Sequence, residues 1–220
     1  MINKNKKGII LAGGLGSRLY PVTNGISKHL IPLYDKPMIY YPLSSLMLAG
    51  VREILIVTKK IDFPSFYALL ANGKQFGINI TYEVQDKPLG IPHAFLLAEK
   101  FIGNDPVILI LGDNFFHGSE LISKLQKAYT SNGAKIFVHA VKEPERYAVA
   151  EFDGSEIKRI IEKPKKPLSK YAVTGIYFFD NTVLSRAKEC KYSERGELEI
   201  VDVLNSYLFE GKLQTEFLGR

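Results

Sequence analysis

Apolar side chains arrive along this chain in short runs separated by glycine and polar turns. GIILA (Gly8–Ala12), ILIVT (Ile54–Thr58), INITYEV (Ile78–Val84), VILIL (Val107–Leu111) and KIFVHAV (Lys135–Val141) are rich in β-branched residues and too short for helices, so they predict central strands. Between them, KPMIYYPLSSLMLAG predicts a helix with Pro37 near its start, Pro42 early in its course and Gly50 at its stop. SELISKLQKAYTSNG predicts another, with Ser119 as its cap, Leu121, Ile122, Leu125 and Tyr129 at helical spacing, and an end before Gly133. Strand and helix alternating at this interval give an α/β fold: a Rossmann-like, mixed but mostly parallel central sheet with helices on both faces. Ligands in such sheets collect beyond the carboxyl ends of the strands.

The rhythm changes after about Val141. YAVAEF (Tyr147–Phe152), IKRIIEK (Ile157–Lys163) and VTGIYFF (Val173–Phe179) are closely spaced strand candidates, with Asp153-Gly154 as a hairpin signal between the first two. GELEIVDVLNSYLFEG returns to helix, since Ile200, Val201, Leu204, Tyr207 and Leu208 share one face, and LQTEFLG reads as a last strand. This β-rich second half is expected to extend or cover the sheet, within one domain spanning residues 1–220.

Composition narrows the functional classes. With 46% hydrophobic and 24% charged residues the 220-residue chain is ordinary globular material. It has no apolar run of the roughly 20 residues that cross a bilayer and no signal-peptide cleavage pattern, so a cytoplasmic protein without membrane contact is expected. Its one cysteine, Cys190, permits neither an internal bridge nor a thiolate metal cluster. The net charge of +6 suits phosphorylated partners. The cations are dispersed and the aromatics fall inside apolar runs, which argues against a nucleic-acid surface. Lys4, Lys6 and Lys7 read as a solvated lead.

The candidate chemistry begins at GIILAGGLGSRLYP. Gly13, Gly14 and Gly16 let backbone amides turn inward around an anion, and a helix following them would add its positive end. Arg18 and Lys28 supply cations suited to polyphosphate oxygens. The alternative is a plain strand-to-helix turn with solvated cations. The spacing matches neither the phosphate-loop nor the dinucleotide fingerprint. Asp113, in LGDNFF, stands where VILIL ends; it is either a hard-oxygen ligand for magnesium or an Asx turn. Glu162 and Lys163, in IIEKP, should point in opposite directions unless the strand ends or bulges there.

LAGGLGSRLYPVT, SKHLIPLYDKPMIYYPLSSLMLAGVREILIV, FIGNDPVILILGDN, PERYAVAEF, IEKP, YAVTGIYFFD and RGELEIVDV, in order from Gly8 to Arg220, resemble the bacterial glucose-1-phosphate thymidylyltransferases, one branch of the sugar-nucleotide pyrophosphorylases. The resemblance implies an enzyme that joins dTTP, or UTP, to glucose 1-phosphate with release of pyrophosphate, requires Mg2+ and assembles as a homo-oligomer. Residues from about 8 to 140 would then hold the nucleotide and those from about 141 to 220 the sugar phosphate. By the same resemblance Leu11, Gly13, Gly14, Gly16 and Ser17 form the nucleotide loop, and Arg18 and Lys28 face the triphosphate. Gln85 and Gly90 contact the base, and Asp113 binds magnesium. Glu162 binds a hexose hydroxyl, Lys163 lies near the sugar phosphate, Val173 makes a backbone contact to the sugar, and Tyr147 and Ala148 line its pocket.

Four departures from the family pattern stand out. The family's strand matching LQTEFLGR is followed by a tryptophan-bearing segment and a second magnesium aspartate; this sequence has no tryptophan and stops at Arg220. The expectation is therefore nucleotide binding with impaired turnover, and a catalytically inactive nucleotide or nucleotide-sugar binding protein stays open as the alternative. His93 stands where the branch usually has glutamine, as a pocket group or a helix-packing residue. Ala148 replaces a usual glycine, and QDKPLG differs from the usual base loop, leaving dTTP and UTP both as donors to test.

Overall fold

The computed structural model describes residues 6–128 and 132–219. Its elements run β1 (Lys7–Ala12), the two-residue strands β2 (Pro32–Leu33) and β3 (Lys36–Pro37), α1 (Tyr40–Leu48), β4 (Glu53–Lys59), α2 (Phe63–Leu70) and β5 (Asn79–Gln85). They continue with α3 (Ile91–Leu97), α4 (Glu99–Ile102), β6 (Val107–Leu111), α5 (Leu121–Lys127), β7 (Ala134–Ala140), β8 (Ala148–Asp153) and β9 (Glu156–Glu162). The last are β10 (Tyr171–Phe179), α6 (Val183–Glu189), α7 (Ile200–Phe209) and β11 (Leu213–Phe217).

The main sheet has the order β11-β7-β10-β6-β1-β4-β5. Every strand in that row runs the same way except β10, which is antiparallel to both β6 and β7. β8 meets the start of β10 at Ala172↔Val149 and forms a hairpin with β9. The turn of that hairpin, at Gly154 with φ 61, is the one signalled by Asp153-Gly154.

The central strands are apolar throughout because both faces are covered. Ile9, Leu55, Val57, Leu109 and Val138 pack with α3, α6 and α7, whereas their neighbours Ile10, Ile54, Ile56, Ile110 and Phe137 pack with α1, α2 and α5. On the first side the Tyr207 hydroxyl donates to the Asp180 carboxylate at 2.7 Å, and Asp180 also accepts from the Gly133 amide. This ties α7 to the entrance of β7.

Several local expectations fail. Pro37 does not open α1; it pairs with Pro32 in the β2–β3 ribbon, and the helix begins at Tyr40 with Pro42 in its first turn, where a missing amide hydrogen costs nothing. Ser119 does not cap α5, because the boundary residue is Glu120 in the left-handed region at φ 62. Lys7 is no solvated lead: it lies in β1, donates to the Ile102 carbonyl and pairs with Asp105 at 2.7 Å. Lys6 donates to the Ala49 carbonyl. Lys4 and Tyr129 lie outside the described residues. Among the described residues no helix is long and apolar enough to cross a membrane.

Candidate active site

Two hollows open at the carboxyl ends of β1, β5 and β6. The smaller, of about 260 Å³, is lined by Leu11, Gly14, Lys28, His29, Gln85, Gly90, Asp113, Glu162, Lys163, Arg195, Leu198 and Glu199, among others. The larger, of about 500 Å³, takes Arg18, Asn114, Arg146, Tyr147, Ala148, Val173 and Tyr177. Ile91, Leu111, Asp113, Glu162 and Ile200 border both, so the two form one divided cleft.

The loop after β1 is not followed by an α-helix. Gly16 adopts φ 67, Ser17–Leu19 make a single 3-10 turn, and the chain reaches its first α-helix only at Tyr40. The helix dipole expected behind the glycines is therefore absent, leaving loop amides and Lys28 as the source of positive potential. Gly13 has a steric reason as well: a Cβ there would collide with the Gln85 amide, so the loop and the side chain at the end of β5 are packed directly together. Gln85 is 3% exposed and its Oε1 accepts no hydrogen bond from the described residues. A buried acceptor without a partner favours a ligand that brings a donor.

Gly90 opens α3 at φ 100 and forms a bridge with Leu198, whose amide donates to the Leu89 carbonyl at 2.8 Å. No side chain fits at position 90, because a Cβ would strike the Leu198 carbonyl. The loop at the end of β5 is thus fastened to the RGELEI segment.

Lys28 reaches across the cleft to Asp113, Nζ to Oδ2 at 2.5 Å, while Asn114 donates to Oδ1 at 3.1 Å. Burial on its own would raise the Asp113 carboxyl. The Lys28 hydrogen bond and charge, with smaller help from His29 and Asn114, outweigh it and hold the group below the usual carboxylate range. His29, 1% exposed, lies beneath them with its Nδ1 3.1 Å from the Ser27 hydroxyl. Burial, then the Lys28 charge, pushes its pKa down to about 3, so the ring is neutral near pH 7.

The Glu162–Lys163 conflict resolves as local irregularity. β9 ends at Glu162 and Lys163 turns to φ 42, which swings its side chain back so that Nζ lies 3.6 Å from Glu162 Oε1. Both residues line the smaller hollow. In β10 the pairing with β7 slips between Val173 and Tyr177, and Val173 faces the larger hollow from that slip.

Of the residues singled out from the sequence, Leu11, Gly14, Lys28, Gln85, Gly90, Asp113, Glu162 and Lys163 come together in the smaller hollow. Arg18, Tyr147 and Val173 face the larger one with Ala148, a residue that is 8% exposed. Gly13, Gly16 and Ser17 line neither wall. His93 also lines neither: it is half-buried on α3, and its buried Nδ1 has no hydrogen-bond partner among the described residues. Cys190 is half-buried away from both hollows, and burial pushes its thiol up to about 11. Sequence reasoning missed Arg195, Glu199, Asn114, Arg146 and the buried His29. RGELEI and SKHL were visible signals, but nothing in their spacing told which side chains turn inward.

Among the described residues no three or more of His, Cys, Asp and Glu group together to hold a metal. Asp113 offers one hard carboxylate at the cleft, a donor type that fits Mg2+ held largely by phosphate oxygens and water.

A family model described as nucleotidyl transferase matches residues 7–220. The glucose-1-phosphate thymidylyltransferase of Neisseria meningitidis serogroup A is 54% identical over 216 residues, covering 97% of this chain and 75% of that protein. The Xanthomonas campestris protein of the same name is 52% identical, covering 98% and 74%. Among solved structures, a Bacillus anthracis protein described as a glucose-1-phosphate thymidylyltransferase, in complex with a sucrose, superposes with a TM-score of 0.90 at 45% identity, covering 97% of this chain and 87% of that one. A UDP-glucose pyrophosphorylase complexed with UDP-glucose gives 0.80 at 27% identity, covering 94% and 88%. By sequence and fold, the chain belongs to the nucleotidyl transferase family, grouped with the glucose-1-phosphate thymidylyltransferases.

Proposed function

We propose that this protein transfers a thymidylyl group from dTTP to glucose 1-phosphate, giving dTDP-glucose and pyrophosphate in the cytoplasm as a homo-oligomer, with UTP as a second donor to be tested. The observation that carries the reading is the meeting of Gly14, Lys28, Gln85, Gly90 and Asp113 with Glu162 and Lys163 in one hollow that opens into a second, roomier one. The divided cleft would hold nucleotide and hexose side by side, with residues up to about 140 supplying most of the smaller hollow and later residues most of the larger.

A phosphate oxygen of glucose 1-phosphate attacks the α-phosphorus of the triphosphate. The new P–O bond forms as the bond to the β-phosphate oxygen breaks, and pyrophosphate leaves with that electron pair. No side-chain nucleophile is required, so catalysis is positioning and charge neutralisation. Lys28 stabilises the departing pyrophosphate with Arg18 at the rim, while Lys163 orients the attacking phosphate. Gln85 presents its buried carbonyl to a base N–H, and the Gly13–Gly16 and Ser17 stretch supplies backbone room. Glu162 receives a sugar hydroxyl, and Val173 and Tyr147 bound the ring. Asp113, released from Lys28 when phosphates arrive, would hold Mg2+, which when bound neutralises charge on the α-phosphate.

The alternative is a nucleotide or nucleotide-sugar binding protein without turnover. Pyrophosphate release from dTTP, UTP, CTP, ATP and GTP with glucose 1-phosphate, with and without magnesium, decides between them. Magnesium-dependent release confined to dTTP and UTP is expected; saturable nucleotide binding with no release would establish the alternative, and neither would end the reading.

A further inference from the structure

We propose that Arg195 is a positioning residue that fixes the carboxylate of Glu162 and thereby sets how strictly the pocket reads a sugar hydroxyl, an inference that rests on the function proposed above. Arg195 Nη2 stands 2.7 Å from both carboxylate oxygens of Glu199 and 3.2 Å from Glu162 Oε1. Nε makes a further contact to Glu199 Oε1 at 3.2 Å. Glu199 is itself held by the Ser193 hydroxyl at 2.7 Å and shows only 12% of its side chain. A guanidinium pinned this way on one carboxylate presents its remaining N–H in a fixed direction. Glu162 sits at the last position of β9, paired with Ala148 and just before the φ 42 turn at Lys163, so its backbone is fixed while its carboxylate projects at the strand end.

The segment that bears Arg195 is rigid. Gly196 donates to Ser193, Ser193 donates to Glu197, and Leu198 is hydrogen-bonded to Leu89 and bridged to Gly90. The carboxylate expected to accept from the hexose is therefore referenced, through one arginine, to backbone on the nucleotide side of the cleft. Lys163 is a weaker substitute for that reference, at 3.6 Å and 44% exposed.

The test is calorimetric binding of glucose 1-phosphate, and of deoxyglucose 1-phosphates lacking one hydroxyl each, to the full chain carrying a non-reacting dTTP analogue. Variants are Arg195→Met, Arg195→Lys, Glu162→Gln and the Arg195→Met/Glu162→Gln double. Arg195→Met should weaken glucose 1-phosphate by about tenfold, flatten discrimination against the worst deoxy analogue and leave analogue affinity within about twofold. In the Glu162→Gln background the same change should cost less than about threefold, because its target is gone. Arg195→Lys, which keeps a charge without the fork, should be intermediate. Glu199→Gln gives an independent variant that loosens Arg195 and should erode discrimination in the same direction. Equal cost of Arg195→Met in both backgrounds, or a parallel loss of analogue binding with an unchanged melting temperature, would overturn the inference alone. Failure of the unmodified protein to bind either substrate would remove the proposed function and this inference together.

Discussion

Lys28 and Asp113, 85 positions apart in sequence, meet at 2.5 Å across the mouth of the cleft. The pair explains how a loop with no helix behind it still holds its cation over the glycines: Lys28 Cε and Nζ would both lie 3.3 Å from a Cβ at Gly14. It also keeps a half-exposed carboxylate ionised in a site that burial alone would tend to neutralise.

Lys28→Met should therefore do two separable things. Asp113 loses the contact that depresses it, so its titration, followed by carboxyl carbon NMR, should move upward from the wild-type position. Nucleotide affinity should fall by about tenfold or more, since a charge-assisted phosphate contact is lost. In the wild type the stabilisation from the pair is complete above the unfolded carboxylate value of 3.8 and disappears as pH drops through the lower folded value. An unmoved Asp113 titration in the variant would contradict the pairing.

His29 acts in the same direction over a higher pH window. Its pKa falls from 6.5 to about 3 on folding, mainly through burial, so between those values the unfolded chain binds a proton that the native one refuses. Stability should decline on acidification through that window at up to about 1.4 kcal/mol per pH unit from this residue. His29→Gln, similar in size and unable to titrate, should flatten urea-derived stability between pH 6 and pH 4 relative to wild type. Parallel curves for the two proteins would mean that the ring is not buried neutral.

Two glycines of the cleft should respond differently to alanine. At Gly90 the added methyl meets the Leu198 backbone and φ is 100, so Gly90→Ala should cost roughly 1–3 kcal/mol or more in stability and loosen the base loop, lowering nucleotide affinity. At Gly14 the added methyl meets only the end of the Lys28 side chain, so Gly14→Ala should leave the melting temperature almost unchanged while displacing that cation. Thermal melts and nucleotide titrations on both variants check the contrast; equal melting temperatures would refute it.

Cys190 donates weakly to the Arg186 carbonyl at 3.4 Å, and its thiol is raised by burial first and by Asp202 and Glu189 after it. It should alkylate more slowly at pH 8 than a free thiol, and Cys190→Ser should retain nucleotide binding. Rapid labelling by iodoacetamide with loss of binding would give the residue a role that this geometry does not support.

The central strands were legible because continuous apolar runs of this length have one good solution, burial on both faces. The hairpin at Asp153-Gly154 was legible because turn chemistry is local. Pro37 misled because proline suits a helix start and an edge ribbon equally well, and the choice is made by Pro32, five residues earlier. Gathering Gly14, Lys28, Asp113 and Lys163 in one hollow was an expectation carried by strand ends and family resemblance. The turn at Lys163 was not readable, since a lysine at φ 42 has no composition signature. Arg195 stayed hidden for a related reason: in RGELEI several charges alternate, and only packing against Leu89 and Gly90 decides which of them face inward.

The reversed course of β10 brings the start of one strand to the cleft beside the ends of others. Its neighbours β6 and β7 reach the cleft where they finish, whereas β10 delivers Ala172, Val173 and Thr174 to the larger hollow near where it begins, shortly after the exposed Leu168. Under the proposed function, changes at the slip between Val173 and Tyr177 would reshape the roomier hollow while the glycine loop, Lys28 and Gln85 stay untouched.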